Sequence, residues 1–418
     1  MLSQQSHNDS WLPRLEDHLK EARYSSQVAR RYIVAARQFL AYLQKRHIAP
    51  EAAQPSDVNL YLQNKLKLFR RRRQRAPKSS MVDWRSARAA GIHMMFRLVQ
   101  RQWPPPPIPS TPREVFHQQV CREYDRWMCD VRGLARGTRS GRYAEANRFL
   151  TWLDDRGSSQ KLTDIICAEI DAYAKFRATS LCRRTLRNHA TEMRSFVRFL
   201  HSSGHIARDL STGVIGPRCY AFESIPSSLR PEEVRTVVET TRKDRSREGR
   251  RDYAILMLLS TYGLRAGEIT TLRLEDVDWR SEVLRLCQSK TGIHSQLPLL
   301  PTVGNAILDY LQKGRPKTSA REIFTCHHAP YGPFRNGSSL YWVIRSRLTA
   351  AGINRSSKQG PHSFRHTRAV SMLRAGVNLK EIGDVLGHRS AASTTAYLKL
   401  ATEDLRGVAL EVPAEVKA

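Results

Sequence analysis

The 418-residue chain predicts a mainly α-helical protein with one small antiparallel β-sheet in its last third. Three observations carry that prediction. Apolar residues recur every three or four positions through most of the chain. Two segments that resemble each other stand on either side of a proline-rich stretch. Only one region, EVLRLCQSKTGIHSQLPLLP, alternates apolar and polar residues as strands do.

The elements follow in order. RYIVAARQFLAYLQKR (Arg31 to Arg46) and RYAEANRFLTWLDDR (Arg142 to Arg156) both open with Arg-Tyr. Both close with Phe-Leu-x-aromatic-Leu, with one residue of slippage between. Each is followed by a later basic helix, SARAAGIHMMFRLVQRQ (Ser86 to Gln102) or TLRNHATEMRSFVRFLHSSG (Thr185 to Gly204). This reads as two copies of a small helical bundle, too few for a solenoid. WPPPPIPSTPR, Trp103 to Arg113, separates them, with six prolines in nine residues, and forms an extended spacer. A second shift in composition falls between Gly213 and Pro226.

From Leu229 the texture changes. LRPEEVRTVVETT starts a helix, with Pro231 in the first turn and Glu232 and Glu233 at its positive end. RDYAILMLLSTYGL is a buried helix stopped at Gly263. Two strands then flank a turn at Lys290-Thr291-Gly292. The expected organisation is an N-terminal helical domain over 1–103, a spacer over 104–113 and a second helical domain over 114–212. A linker over 213–228, a C-terminal domain over 229–405 and a tail over 406–418 complete it.

Charge bounds the partners. Lys and Arg total 69 against 39 Asp and Glu, a net +30. That excess favours a polyanion, either nucleic acid or an anionic membrane surface. Residues 1–112 hold 20 basic and 7 acidic side chains. Much of that excess is KLKLFRRRRQRAPK, Lys65 to Lys78, with Arg70, Arg71, Arg72, Arg73 and Arg75. Such a block can be a solvated, extended loop. On a chain this basic, the favoured reading is contact with phosphates, which gives affinity without sequence choice. No apolar run is long enough to span a bilayer. The first thirty residues lack the apolar core of a secretory signal. Seven scattered cysteines form no CxxC pair, so a reducing cytoplasm is expected rather than a disulfide framework. Cys326-His327-His328 lacks a second cluster and is weak as a metal site.

Three motifs carry chemistry. In TYGLRAGEITTLRLEDVDW, Arg265 opens a helix, and Glu268 three residues on shares its face; alone this is an ordinary intrahelical ion pair. In GPHSFRHTRAVSMLRAG, His362, Arg365 and His366 share one helix face. Two histidines at this spacing could bind zinc, but the glutamate of HExxH is missing and an arginine would repel a cation. The face suits an anion. In NLKEIGDVLGHRSAASTTAYLKL, Gly387 caps a helix, His388 follows, and Tyr397 comes nine residues later. Most tyrosines in such a window pack against a core.

GLRAGE, a turn lysine, HSFRH, LGH and a downstream tyrosine, in this order from Tyr262 to Tyr397, resemble the tyrosine recombinases, or phage-type integrases. The resemblance covers Leu229 to about Leu405. Residues 115–210 look like the family's SAM-like helical core-binding domain, and residues 10–102 like a diverged second copy, whereas most members carry one. It implies a site-specific DNA recombinase that integrates, excises or transposes a mobile element through a 3′-phosphotyrosyl intermediate. The implied catalytic residues are Arg265, Lys290, His362, Arg365, His388 and the nucleophile Tyr397, with Glu268 supporting. Arg265 and Arg365 would clamp the scissile phosphate, and His388 would add a hydrogen bond to it. Lys290, which can also reach the DNA, would protonate the leaving 5′-oxygen, and His362 would assist proton transfer. No metal, ATP or other cofactor is implied. The partners would be double-stranded DNA with inverted-repeat core sites, and copies of the chain as dimer and tetramer. Groups of adjacent recombinase genes encode similar proteins, which would add sister recombinases. The expected location is the bacterial cytoplasm, on the nucleoid. Two departures stand out. Ile293 and His294 occupy positions where many members have a further basic residue, and Phe364 replaces a commoner leucine.

Overall fold

Four helices open the chain: α1 (Leu2–Glu21), α2 (Ser26–Lys45), α3 (Pro55–Arg73) and α4 (Met81–Val99). The structure is a computed structural model, and it describes residues 2–77, 80–106, 108–156, 162–220, 228–287, 294–354, 359–387 and 394. The helical periodicity of Arg31 to Arg46 becomes α2, whose apolar stripe Ala36, Phe39, Leu40 and Leu43 is buried. It packs against Ile92, Met95 and Phe96 of α4 to form one core. The arginine run forms no loop here. Arg70–Arg73 are the last turn of α3, and Gln74 closes it in a left-handed conformation. Positive side chains there face the negative end of the helix dipole, which offsets their mutual repulsion.

A second four-helix set follows: α5 (Pro112–Asp130), α6 (Arg136–Arg156), α7 (Cys167–Ala178) and α8 (Arg183–Ser202). Phe149, Leu150 and Leu153 of α6 occupy the buried positions that Phe39, Leu40 and Leu43 fill in α2. Tyr173 of α7 corresponds to Tyr61 of α3. The repeat seen in the sequence is thus a repeat of core positions.

The remaining elements are α9 (Pro231–Lys243), α10 (Arg247–Tyr262), α11 (Ala266–Thr271), β1 (Val277–Asp278), β2 (Val283–Cys287), β3 (His294–Pro298), α12 (Pro301–Lys313), α13 (Ser339–Ala350), α14 (Pro361–Arg374) and α15 (Leu379–Leu386). The strands pair antiparallel in the order β1-β2-β3. On β2, Leu284 and Leu286 are buried while Arg285 and Cys287 are exposed, the alternation that the sequence shows. The two-residue β1 has no such period, and the sequence reading missed it. Helix α10 is the central piece of this core. Its Ala254, Ile255, Leu256, Leu258 and Leu259 are fully buried. Each of these isoleucine and leucine side chains contributes roughly 1.5–3 kcal/mol on leaving water. Arg347 of α13 ties this core together, bonding Asp244 at 2.6 Å and Asp252 at 2.7 Å.

The chain divides into two compact units. One is Pro106–Glu223, and the other joins Met1–Pro105 with Ser224–Ala418. Within the latter, the Arg23 guanidinium donates to the Lys317 carbonyl at 2.9 Å.

Candidate active site

Four short segments build the site. Helix α10 ends at Gly263 in the left-handed region, φ 67°. A side chain there would be strained by that angle, and its Cβ would stand 2.9 Å from Leu386 Cδ2. The turn carries the chain through Leu264 to Arg265, the N-cap of α11. Glu268, in the first turn of α11, accepts from the Arg265 backbone N–H at 2.8 Å and from its Nη1 at 2.7 Å. The carboxylate is only 5% exposed and the guanidinium 23%. Gly337 lets another segment buttress this turn: a Cβ on it would stand 2.8 Å from the Gly267 nitrogen.

Arg365 lies in the middle of α14 and is buried. Its Nη1 donates to the Gly263 carbonyl at 2.8 Å. Its Nη2 donates to the Leu386 carbonyl, at the end of α15. The next carbonyl, that of Gly387, accepts from Arg265 Nη2 at 2.7 Å. Two adjacent carbonyls at one helix end therefore gather two guanidiniums from helices far apart in sequence. Orphan carbonyls at a helix C-terminus are natural acceptors for arginine. These bonds fix both guanidinium planes.

His362 stands one turn before Arg365, on the exposed part of α14. Its ring lies 6.3 Å from that of His366. Burial, with the neighbouring His362 and Arg365 charges, pushes His366 down to about 4. His366 is therefore neutral near pH 7, which fits a packing role. Helix α14 starts against α13, because Gly360 allows a Cβ-free approach to the Tyr341 ring.

Of the residues expected from the sequence, Arg265, Glu268, His362 and Arg365 fall in this site or on its helices. Lys290, His388 and Tyr397 lie outside the described residues. Gly387, which precedes His388, is described, as is Thr394, three residues before Tyr397. Thr394 is buried, and its Oγ1 stands 3.2 Å from where a Cβ on Gly383 of α15 would be. Arg70–Arg73 and Arg75 are exposed at the end of α3, in the first bundle. The carbonyls of Gly263, Leu386 and Gly387 were not found by sequence reasoning, since a backbone acceptor has no residue signature. The glycines at 263 and 387, both helix stops, were the available signal.

His327, from the Cys-His-His triplet, is buried, with its Nε2 3.2 Å from the Tyr310 hydroxyl. Burial and the nearby Arg251 push it down to about 4. Among the described residues, no group of three or more His, Cys, Asp or Glu is placed to hold a metal ion. None of their helices is long and apolar enough to cross a membrane.

Paired, fixed arginines, with an exposed histidine one turn before Arg365 on α14, form an arrangement that suits a phosphate group. The comparisons with known proteins narrow that class. Residues 227–404 match the phage integrase family. The protein y4gC of Sinorhizobium fredii, named as a candidate integrase/recombinase, is 52% identical over 189 residues, 45% of this chain and 97% of y4gC. Its namesake y4rA from the same organism is 33% identical over 300 residues, 72% of each chain. XerH site-specific recombinase, solved bound to its difH substrate, has a TM-score of 0.54 at 13% identity, over 73% of this chain and 99% of that one. A lambda integrase dimer bound to a COC′ core site gives 0.53 at 16% identity, over 72% and 99%. These two show a shared fold. The chain belongs to the phage integrase family. It is a tyrosine recombinase, an enzyme of site-specific DNA recombination that cleaves and rejoins strands through a phosphotyrosyl link.

Proposed function

We propose that Arg265 and Arg365 clamp the scissile phosphate while Tyr397 attacks it. The observation that carries this reading is the convergence of both guanidiniums on the adjacent Leu386 and Gly387 carbonyls. The Tyr397 oxygen forms a bond to phosphorus, and the bond to the 5′-oxygen breaks. Negative charge grows on the equatorial oxygens between those events, where two fixed cations stabilise it most. Lys290 gives its proton to the leaving 5′-oxygen. A tyrosine with its ordinary pKa near 10 is mostly protonated at neutral pH. His362, exposed on the same helix as Arg365, helps to remove that proton. His388 hydrogen-bonds a phosphate oxygen. Glu268 touches no reacting atom and positions Arg265. Rejoining runs the same steps backwards, with the 5′-hydroxyl of another strand attacking phosphorus. The phosphotyrosyl link conserves the bond energy, so the strand exchange needs no ATP.

The substrate is double-stranded DNA carrying inverted-repeat core sites, bound by a dimer and joined as a tetramer. The exposed Arg70–Arg73 and Arg75 contact its phosphates. A mobile element is the unit moved, with sister recombinases as further partners. Three matching relatives in one organism, y4gC, y4rA and y4rF, fit a family that occurs in sets. The test uses a nicked cognate duplex. Wild type should give a protein–DNA adduct stable to SDS, and Tyr397→Phe should give none while still binding. An adduct that survives Tyr397→Phe would overturn the assignment.

A further inference from the structure

The segment that follows α8 does not leave the second bundle at once. It folds back along α8, held by four contacts. Arg198 Nε donates to Ser211 Oγ at 3.3 Å, and Arg194 Nε to the Val214 carbonyl at 3.0 Å. Val214 is buried in the bundle core. Gly216 lies so close that a Cβ would stand 2.8 Å from the Ala190 Cβ. Cys219 Sγ lies 3.8 Å from the Arg183 carbonyl.

This return creates a cleft of about 420 Å³ between helix and segment. Arg187, Thr191 and Arg194 of α8 form one wall, with Gly216, Arg218 and Tyr220 of the segment opposite. Among the described residues, no acidic side chain lines it, and neither Arg187 nor Arg218 has a carboxylate partner. Three guanidiniums facing one cleft repel each other until an anion joins them. The contacts above fix Arg218 relative to Arg187 and Arg194, so the cleft exists before any ligand arrives.

We propose that this cleft grips a DNA backbone phosphate, with Arg218 of the returning segment acting together with Arg187 and Arg194 of α8. The segment is then a DNA-contacting element and not merely a connection. The inference rests on the chain being a DNA recombinase. Arginine suits the role, since its planar fork fits phosphate oxygens.

The experiment measures duplex affinity of the full chain against salt concentration. Each phosphate contact contributes about 0.9 to the slope of log K against log salt. Arg187→Gln and Arg218→Gln should each lower the slope by part of that amount, and the double variant by about 0.9, the loss of one phosphate contact. Arg218→Lys should retain the wild-type slope, because counterion release counts charge. Gly216→Val, which pushes the segment away from Ala190, should mimic Arg218→Gln. Thermal midpoints of the two glutamine variants should match wild type. Unchanged slopes in all variants would overturn the cleft alone. A wild type that binds no duplex would overturn the recombinase reading as well.

Discussion

The role proposed for Glu268 is in a reaction that it does not touch. Its carboxylate is buried and holds both the backbone N–H and the Nη1 of Arg265. Sequence spacing alone gave an i,i+3 ion pair on a helix face, and that pairing stands. The sequence placed Arg265 at the opening of that helix, but the burial of the carboxylate and its bond to the Arg265 backbone N–H needed the structure. Glu268→Gln keeps an oxygen acceptor but removes the charge. Charge-assisted hydrogen bonds contribute about 1.5–3 kcal/mol. At 1.4 kcal/mol per tenfold, single-turnover adduct formation should slow by roughly 10- to 100-fold, with duplex affinity retained. Equal rates for variant and wild type would remove Glu268 from the positioning role. Arg365 marks the limit of residue-level reading. Its motif neighbours were visible, but its partners are carbonyls of Gly263 and Leu386, 102 and 21 residues away.

At the scale of elements, the helices were legible wherever apolar residues kept a 3.6 period, as in α2, α6, α10 and α14. Local chemistry set their ends: Gly263 and Gly387 both stop helices in left-handed conformations. What failed were features without a period, the two-residue β1 and the helical ending of the arginine run. The duplication also hid a difference. Phe39 and Phe149 align, and four residues before them stand Ala35 and Glu145. Glu145 is buried in the second bundle, where α6, α7 and α8 meet around it. Tyr173 donates to it at 2.6 Å, Arg148 at 2.6 Å, and His189 Nε2 lies at 3.2 Å. Burial alone would raise its pKa, yet the hydrogen bonds from His189 and Tyr173 and the positive neighbours hold it at about 2. Its usual value is 4.5, so the folded value is depressed. The stabilisation is therefore present above pH 4.5 and is lost as pH falls from there towards 2. It is on the order of 3 kcal/mol. Urea unfolding should show Glu145→Gln less stable than wild type at pH 6, with the gap closing as pH drops through 4. A gap that does not change with pH would refute this account of the bundle's core.

For the whole molecule, the sequence carried the order of the motifs but not their meeting. Arg265 and Gly387 are 122 residues apart and share a hydrogen bond. The net charge of +30 pointed to a polyanion without saying which surface meets it. The fold separates the basic groups by exposure. Arg365 is buried and Arg265 partly so, both fixed by carbonyls, while Arg70–Arg73 are exposed on the last turn of α3. Charges of the second kind attract DNA at any sequence, and their work is screened by salt. Replacing Arg70, Arg71, Arg72 and Arg73 together by glutamine isolates that work. Glutamine keeps nearly the helix propensity of arginine, so α3 should persist. If all four meet phosphates, the salt slope of duplex binding should fall by up to about 3.6, at 0.9 for each contact. Specific and non-specific duplexes should lose the same amount, because phosphates carry no sequence. Adduct formation at saturating DNA should stay at the wild-type rate, since the proposed phosphate clamp lies in other helices. Binding titrations between about 50 and 200 mM salt decide the matter. A retained slope would mean that the run stands in solvent, and that the first bundle meets DNA elsewhere or not at all.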